Sequence, residues 1–339
     1  MKPTYQEQIK TFFQTTRSHL PVVPQLAVLA MLLLVIFSGA IGTFVFSSDT
    51  PTNTPVTNTV APLPPAPPAP EQQLAIDGST FSDISLRAEA VFVWDVKNQR
   101  VLFEKNSDTV LPLASITKLM TTLLANELLT ADTEISISET AVQQDGGTFL
   151  HAQDIFTHAA VRTMSLMAST NDGAYALAAA AGEALVPNDG ANAFVHAMNI
   201  RAQELDLHNT TFKNPTGLDI SPTEAGSYST AKEASFLMEY MLLKYPELLQ
   251  TTTQSDTRIY TKEGTYYDIE NTNHYLHQIP NVLGSKTGYT DLAGGNLTVA
   301  FNAGLDRPII ITVLNSTWSE RFTDVLALVA ATQAAITTH

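Results

Sequence analysis

The chain has 339 residues, 44% of them hydrophobic and 15% charged, with a formal net charge of -15 and no cysteine. That length and apolar content allow one large buried core or two ordinary ones. The acidic balance argues against nucleic acid as a partner, because phosphate binding needs clustered Lys and Arg, and the missing cysteines exclude disulfides, a Cys nucleophile and thiolate metal sites.

Residues 1–24 are polar, with Lys2, Lys10 and Arg17 against the single acid Glu7. An uncharged run over 26–46, LAVLAMLLLVIFSGAIGTFVF, follows. It has the roughly 20 residues needed to cross a bilayer. The first acid beyond it is Asp49, so the positive flank is N-terminal. The positive-inside rule then predicts a cytoplasmic tail over 1–24, a transmembrane signal-anchor over 25–46 and everything later outside the plasma membrane. A cleaved signal peptide is the alternative, because Ser38-Gly39-Ala40 resembles a small-residue cleavage site. The apolar run continues past that point, which favours the uncleaved anchor.

Residues 47–72 carry eight prolines, including PLPPAPPAP. Such composition buries no core and favours extended polyproline geometry, so 47–73 reads as a disordered tether. At roughly 3.1 Å per residue it reaches up to ~80 Å from the membrane. The globular domain is expected over 74–339.

Within it, EAVFVWD over 89–95 alternates as a strand, and RVLFE over 100–104 pairs with it through a turn at 96–99. A helix starting around Ser115 is apolar at Leu119, Met120, Leu123, Leu124 and Leu128. Residues 141–190 are Ala-, Leu- and Met-rich with helical spacing, and the glycines at 146, 147 and 182 are expected to break it. Another helix is expected over 194–207. Thr230 and Glu233 form a capping box that opens a helix at 234–243. NLTVAF over 296–301 and PIIITVL over 308–314 read as strands, and Ser319 is placed to cap a last helix through 335. That helix is apolar at 322, 325, 326 and 329, a stripe expected to pack on the sheet. Strands at both ends of a helical middle predict an α+β domain whose single sheet is built from both ends.

Three short motifs carry the chemistry. Ser-x-x-Lys occurs at Ser115…Lys118 and at Ser229…Lys232; the second lies in the capping box and is read as structural. Ser-x-Asn occurs once, at Ser169-Thr170-Asn171, and Lys-Thr-Gly once, at Lys286-Thr287-Gly288. Three residues apart on a helix, Lys118 and Ser115 share a face. A serine hydroxyl becomes a good nucleophile only when a base takes its proton, and a lysine serves as that base only if burial or a second cation lowers its pKa.

The ordered trio marks penicillin-binding proteins and serine β-lactamases. From about residue 85 to 330 the chain resembles the serine-type D-alanyl-D-alanine carboxypeptidases, the low-molecular-mass penicillin-binding proteins. The resemblance extends through Ala114-Ser115-Ile116-Thr117-Lys118-Leu119-Met120-Thr121 and Ser169-Thr170-Asn171-Asp172. It also takes in the blocks FKNPTGL from Phe212 to Leu218, Asn271-Thr272-Asn273, Gly284-Ser285-Lys286-Thr287-Gly288-Tyr289-Thr290 and Ala293-Gly294.

This resemblance implies the penicillin-binding/serine β-lactamase-like fold: an antiparallel sheet flanked by helices, plus a helical subdomain, here preceded by one transmembrane helix. It implies no cofactor and no metal. Ser115 would attack the carbonyl of the penultimate D-alanine of a peptidoglycan stem peptide. Lys118 would accept its proton, with Lys286 as the second cation keeping Lys118 partly neutral. Ser169 would relay a proton to the leaving amine, and Asn171 would hold Lys118 or the substrate backbone. Lys286, Thr287, Gly288 and Tyr289 would line the substrate site, with an oxyanion hole at the N–H groups of Ser115 and Tyr289. β-Lactams would trap Ser115.

The chain departs from the family pattern at Thr170, where smaller residues are common, and at Tyr289, where many relatives carry His. Most such carboxypeptidases continue into a β-rich domain with a membrane-surface helix; here 25–46 is expected to take over the anchoring. The same residues would serve an endopeptidase of D-Ala cross-links. A β-lactamase is disfavoured, because no Glu-x-x-Leu-Asn pattern lies between Asn171 and Lys286. A non-catalytic wall-binding module is disfavoured because Ser115, Lys118, Ser169, Asn171, Lys286 and Thr287 are all present. Among the eight histidines, His274 and His277 lack the accompanying pattern of a zinc peptidase.

Overall fold

The computed structural model describes residues 78–337 apart from 147–149 and 305. The expected cytoplasmic tail, membrane anchor and proline-rich tether therefore lie outside the described residues. Among those described, no helix is long and apolar enough to cross a membrane.

The main elements are β1 (Ala90–Asp95), β2 (Arg100–Lys105), α1 (Lys118–Leu128), α2 (His158–Met167), α3 (Asn171–Leu185), α4 (Gly190–Glu204), α5 (Ala231–Lys244), β3 (Val282–Thr290), β4 (Gly294–Asn302), β5 (Pro308–Ser316) and α6 (Glu320–Thr337). The five strands form one antiparallel sheet in the order β3-β4-β5-β1-β2. Both ends of the domain thus contribute to one sheet, as the sequence predicts, and they meet where Val93 of β1 pairs with Ile311 of β5. β1 and β5 are central and buried on both faces, which is why they read as nearly continuous β-branched and aromatic runs.

On one face, Val91, Val93, Leu297, Val299, Ile309, Ile311 and Val313 pack with Phe322, Val325, Leu328 and Val329 of α6. The predicted apolar stripe of α6 therefore faces the sheet. Its first turn is held by Thr317, whose Oγ1 accepts from Glu320 N–H at 3.0 Å; Ser319 contributes its carbonyl to Phe322 N–H. α5 lies against the opposite face, where Ser235 Oγ donates to Thr312 Oγ1 at 2.7 Å and Phe236 meets Phe92 and Trp94 edge-on. Helices α1 to α4 form the helical subdomain.

The capping box over Thr230 is half formed. Thr230 Oγ1 accepts from Glu233 N–H at 3.0 Å. The Glu233 carboxylate instead takes Asn209 N–H at 2.9 Å and Thr210 Oγ1 at 2.6 Å, tying the start of α5 to the segment before it. The second Ser-x-x-Lys accordingly carries structure: Ser229 Oγ meets Thr210 Oγ1 at 2.6 Å, and Lys232 pairs with Asp108 at the surface.

One predicted break is absent. Gly182 lies inside α3. A Cβ there would sit 1.7 Å from Gly190 O at the start of α4. Close packing of two helices outweighs the helix cost of a glycine, about 1 kcal/mol. The predicted helix over 194–207 starts earlier, at Gly190, and ends at Glu204.

Candidate active site

The three motifs converge. Ser115 lies in a single 3-10 turn, Ala114–Thr117, that runs directly into α1. Ser169 precedes α3, Asn171 opens it, and Lys286 and Thr287 sit on β3 at the edge of the sheet. Ala114 and Ser169 hold left-handed backbone angles, φ +48° and +60°. Non-glycine residues in that region carry strain, and such residues concentrate at functional sites.

Lys118 Nζ donates to Ser115 Oγ at 2.8 Å, to Asn171 Oδ1 at 2.7 Å and to the Thr216 carbonyl at 2.8 Å. The side chain is fully buried. Burial is the main cause that lowers its pKa to about 7, against the opposing pull of the Asp172 carboxylate. A neutral amine has two N–H donors and one lone pair. Asn171 Oδ1 and Thr216 O can only accept, so together they consume both donors. The lone pair is left for the Ser115 hydroxyl. Asn171 is itself held by its amide donating to Asp145 O at 2.6 Å.

Lys286 Nζ makes a separate set of contacts, donating to Ser169 Oγ at 2.8 Å and to the Thr287 carbonyl at 2.8 Å. Burial, then the nearby charges of Lys118 and Arg321, hold it well below the usual lysine range. The two amines thus contact different serines, Lys118 at Ser115 and Lys286 at Ser169, and burial leads the causes that keep Lys118 partly neutral.

β3 packs against the Ser115 turn. A Cβ at Gly288 would lie 2.9 Å from Leu113 O and 3.1 Å from Ser115 N, so only glycine lets the strand come this close. Ser285 N–H donates off the sheet to Thr252 Oγ1 at 2.9 Å. Strand alternation turns the N–H groups of Thr287 and Tyr289 the same way, away from β4. The Tyr289 N–H is therefore turned away from β4, on the strand that packs against the turn carrying Ser115.

Four more residues complete the site: Thr272 and Thr216 lie in blocks that carry the resemblance but had no role assigned, and Arg321 and Asp219 lie in none. Thr272 Oγ1 meets Thr287 Oγ1 at 2.6 Å. Arg321, at the start of α6, is buried and donates to Gly288 O at 2.6 Å. Burial lowers its pKa to about 10, and its guanidinium lies 4.4 Å from the Trp318 ring centroid, which in turn meets Tyr289 edge-on. Thr216 belongs to a loop organised by Asn214 Oδ1, which accepts from the N–H of Thr216 at 3.2 Å and of Gly217 at 2.7 Å. Asp219 ends that loop and ties it to the turn after β3, accepting from Thr290 Oγ1 at 2.9 Å and Leu292 N–H at 3.2 Å. Among the described residues, no group of three or more His, Asp or Glu side chains is placed to hold a metal ion.

Comparison with known proteins points to one family. The chain is 34% identical over 251 residues to D-alanyl-D-alanine carboxypeptidase DacF of Bacillus subtilis, a match covering 72% of this chain and 62% of that protein. It is 31% identical over 236 residues to a D-alanyl-D-alanine endopeptidase of Pseudomonas aeruginosa, covering 68% and 72%. Among solved structures, penicillin-binding protein D2 of Listeria monocytogenes in its cefotaxime-bound form superposes with a TM-score of 0.62 at 29% identity, over 74% of this chain and 98% of that one. Residues 77–317 match the family described as D-alanyl-D-alanine carboxypeptidase, and the chain belongs to that family.

Proposed function

We propose that this protein removes the terminal D-alanine from peptidoglycan stem peptides through an acyl-enzyme on Ser115. The observation that carries the reading is the 2.8 Å contact between Ser115 Oγ and a buried Lys118 amine whose other donors are spent. In this reading Lys118 takes the Ser115 proton as Oγ adds to the carbonyl of the penultimate D-alanine. The oxyanion forms between the N–H groups of Ser115 and Tyr289; donors of that kind are worth ~3–4 kcal/mol each in the barrier. As the C–N bond breaks, Ser169, in contact with Lys286, passes its proton to the leaving amine and is reprotonated by the proton Lys118 took from Ser115, which returns Lys118 to its neutral form. Thr287 and Lys286 bind the terminal carboxylate beside Gly288. Water then adds to the ester as Lys118 accepts its proton, and Lys118 hands that proton to Ser115 Oγ, which leaves as the hydroxyl.

Full-length protein in detergent is expected to release D-alanine from diacetyl-lysyl-D-alanyl-D-alanine. Penicillin is expected to add one acyl group that peptide mapping finds on Ser115 and that persists for minutes or longer. An unmodified Ser115 after hours with penicillin, or rapid turnover of nitrocefin, refutes the reading. The similarity to the Pseudomonas endopeptidase supports a second reading, cleavage of D-Ala cross-links by the same residues. Comparing release from a monomeric stem peptide with cleavage of a cross-linked dimer separates the two.

The catalytic domain is further proposed to face the outside of the plasma membrane, held by 25–46. The apolar run and its N-terminal positive flank support this. The full chain should stay with membranes through an alkaline carbonate wash, while protein lacking residues 1–46 should be recovered in the soluble fraction. Release of the full chain by carbonate counts against the anchor.

A further inference from the structure

We infer that the solvent face of a two-stranded ribbon, Asp256–Tyr260 and Tyr266–Glu270, binds the glycan of the cell wall, with Tyr260 and Tyr266 stacking on its sugar rings. The inference rests on the reading above for the identity of the polymer and adds a contact with it away from the reacting peptide.

The two strands pair antiparallel, with Tyr260 opposite Tyr266, Arg258 opposite Asp268 and Asp256 opposite Glu270. Alternation puts these side chains on one face, and every one of these residues is exposed. The other face fastens the ribbon to the domain. Ile269 is buried, the Tyr267 ring meets Phe156, and Lys262 N–H at the tip donates to Ile155 O at 2.8 Å. At its base the ribbon runs into the active site, because Thr272 follows Glu270 closely in the chain and touches Thr287. From Glu270 out to Tyr266 the strand spans ~14 Å at about 3.4 Å per residue. A D-alanine pair held at Thr287 does not reach the tyrosines; a polymer strand does.

Tyr260 and Tyr266 are 57% and 53% exposed, with ring centroids 6.3 Å apart. Cross-strand tyrosines support a hairpin, but this ribbon is already held through its inner face, and large rings left in water together mark an interaction surface. The Arg258 guanidinium lies 4.0 Å from the Tyr266 centroid and is gripped by both Asp268 oxygens, at 2.7 and 3.0 Å, which fixes the platform. Asp256 and Glu270 face each other, and among the described residues neither forms an ion pair. Like charges placed opposite weaken a ribbon, whereas carboxylates accept hydroxyl and amide N–H donors. A sugar ring matches this surface, with C–H groups on its face and hydroxyl and acetamido donors on its edge; a tyrosine likewise has an apolar body and a polar tip. Charge decides against other polymers. The ribbon carries Asp256, Glu263, Asp268 and Glu270 against Arg258 and Lys262, so it repels anionic lipid and phosphate polymers but not an uncharged glycan.

Full-length protein in detergent should sediment with isolated wall sacculi. The uncharged tetramer of N-acetylglucosamine should compete for that binding and should protect Tyr260 and Tyr266 from nitration by tetranitromethane, read by peptide mapping. Tyr260→Thr combined with Tyr266→Thr removes both rings and keeps residues suited to strands. This variant should bind sacculi about tenfold more weakly, as expected for loss of aromatic anchors. Its release of D-alanine from sacculi should fall more than its release from diacetyl-lysyl-D-alanyl-D-alanine. A loosened ribbon lowers both rates together, so the ratio of the two reports the surface. Tyr260→Phe combined with Tyr266→Phe keeps the rings and should keep the binding. Nitration needs no variant and serves if the threonine protein fails to fold. Sacculus binding that the tetramer leaves untouched, nitration of both tyrosines that it does not slow, or undiminished binding by the threonine variant overturns the glycan surface while leaving D-alanine release intact. No release from the soluble peptide, with tetramer binding present, strikes the carboxypeptidase reading and leaves the glycan contact standing.

Discussion

Lys118→Met is expected to slow acylation of Ser115 by roughly a thousandfold, within the range for loss of a positioned general base. The variant keeps an unbranched apolar side chain in the buried channel, so the loss reports the amine and not a cavity. Lys118→Arg should not rescue it. A guanidinium has no accessible neutral form and no lone pair to offer. The rate should be read with a fluorescent penicillin and with D-alanine release; a variant within tenfold of the wild type in both assays removes Lys118 from the mechanism. The same reasoning fixes the pH dependence. The neutral amine is the active form, and its pKa is lowered to about 7. The wild-type acylation rate should therefore rise about tenfold per pH unit below that value and level off above it. A rate that falls as pH rises through 7 has the wrong sign for a lysine base.

Part of this site is written in the sequence and part is not. Strands β1 and β5 are legible because β-branched and aromatic residues in a row, bounded by turn residues, have few other homes. Ser115, Lys118, Ser169, Asn171, Lys286 and Thr287 are legible because each belongs to a spaced motif. What each amine touches is not legible. The motifs separate Lys118 from Lys286 by role, but not by partner: only the structure pairs Lys118 with Ser115 and Lys286 with Ser169. Thr216 lies in the FKNPTGL block, but its contribution is a backbone carbonyl, which no residue type announces. Arg321 sits one position before the apolar stripe of α6 with nothing in the sequence to single it out, yet it is buried against β3. Gly182 reads as a helix breaker because a sequence does not reveal which neighbouring backbone comes near.

Gly217→Ala should damage both fold and activity, and the structure gives the reason at atomic distance. Gly217 has φ +82°, where an L residue costs roughly 1–2 kcal/mol by itself. Its added Cβ would also lie 1.9 Å from Ala114 O and 2.7 Å from Thr117 Oγ1. Those are not the ends of flexible side chains. Ala114 is already left-handed and immediately precedes Ser115, and its carbonyl accepts from Thr117 Oγ1 at 2.7 Å. Relief must move either the turn that carries Ser115 or the loop that offers Thr216 O, and these supply two of the three partners of Lys118 Nζ. The expected cost is about 3 kcal/mol or more in unfolding free energy. Acylation should fall at least ~100-fold, since a misplacement of about 1 Å suffices for that. Gly264→Ala is the matched control. Gly264 also has a left-handed φ, +90°, but nothing lies within 4 Å of its Cβ position. It should lose only the conformational penalty and keep its acylation rate. If the two variants lose stability and activity equally, the packing of the 214–219 loop against the Ser115 turn is not what holds Lys118 in place.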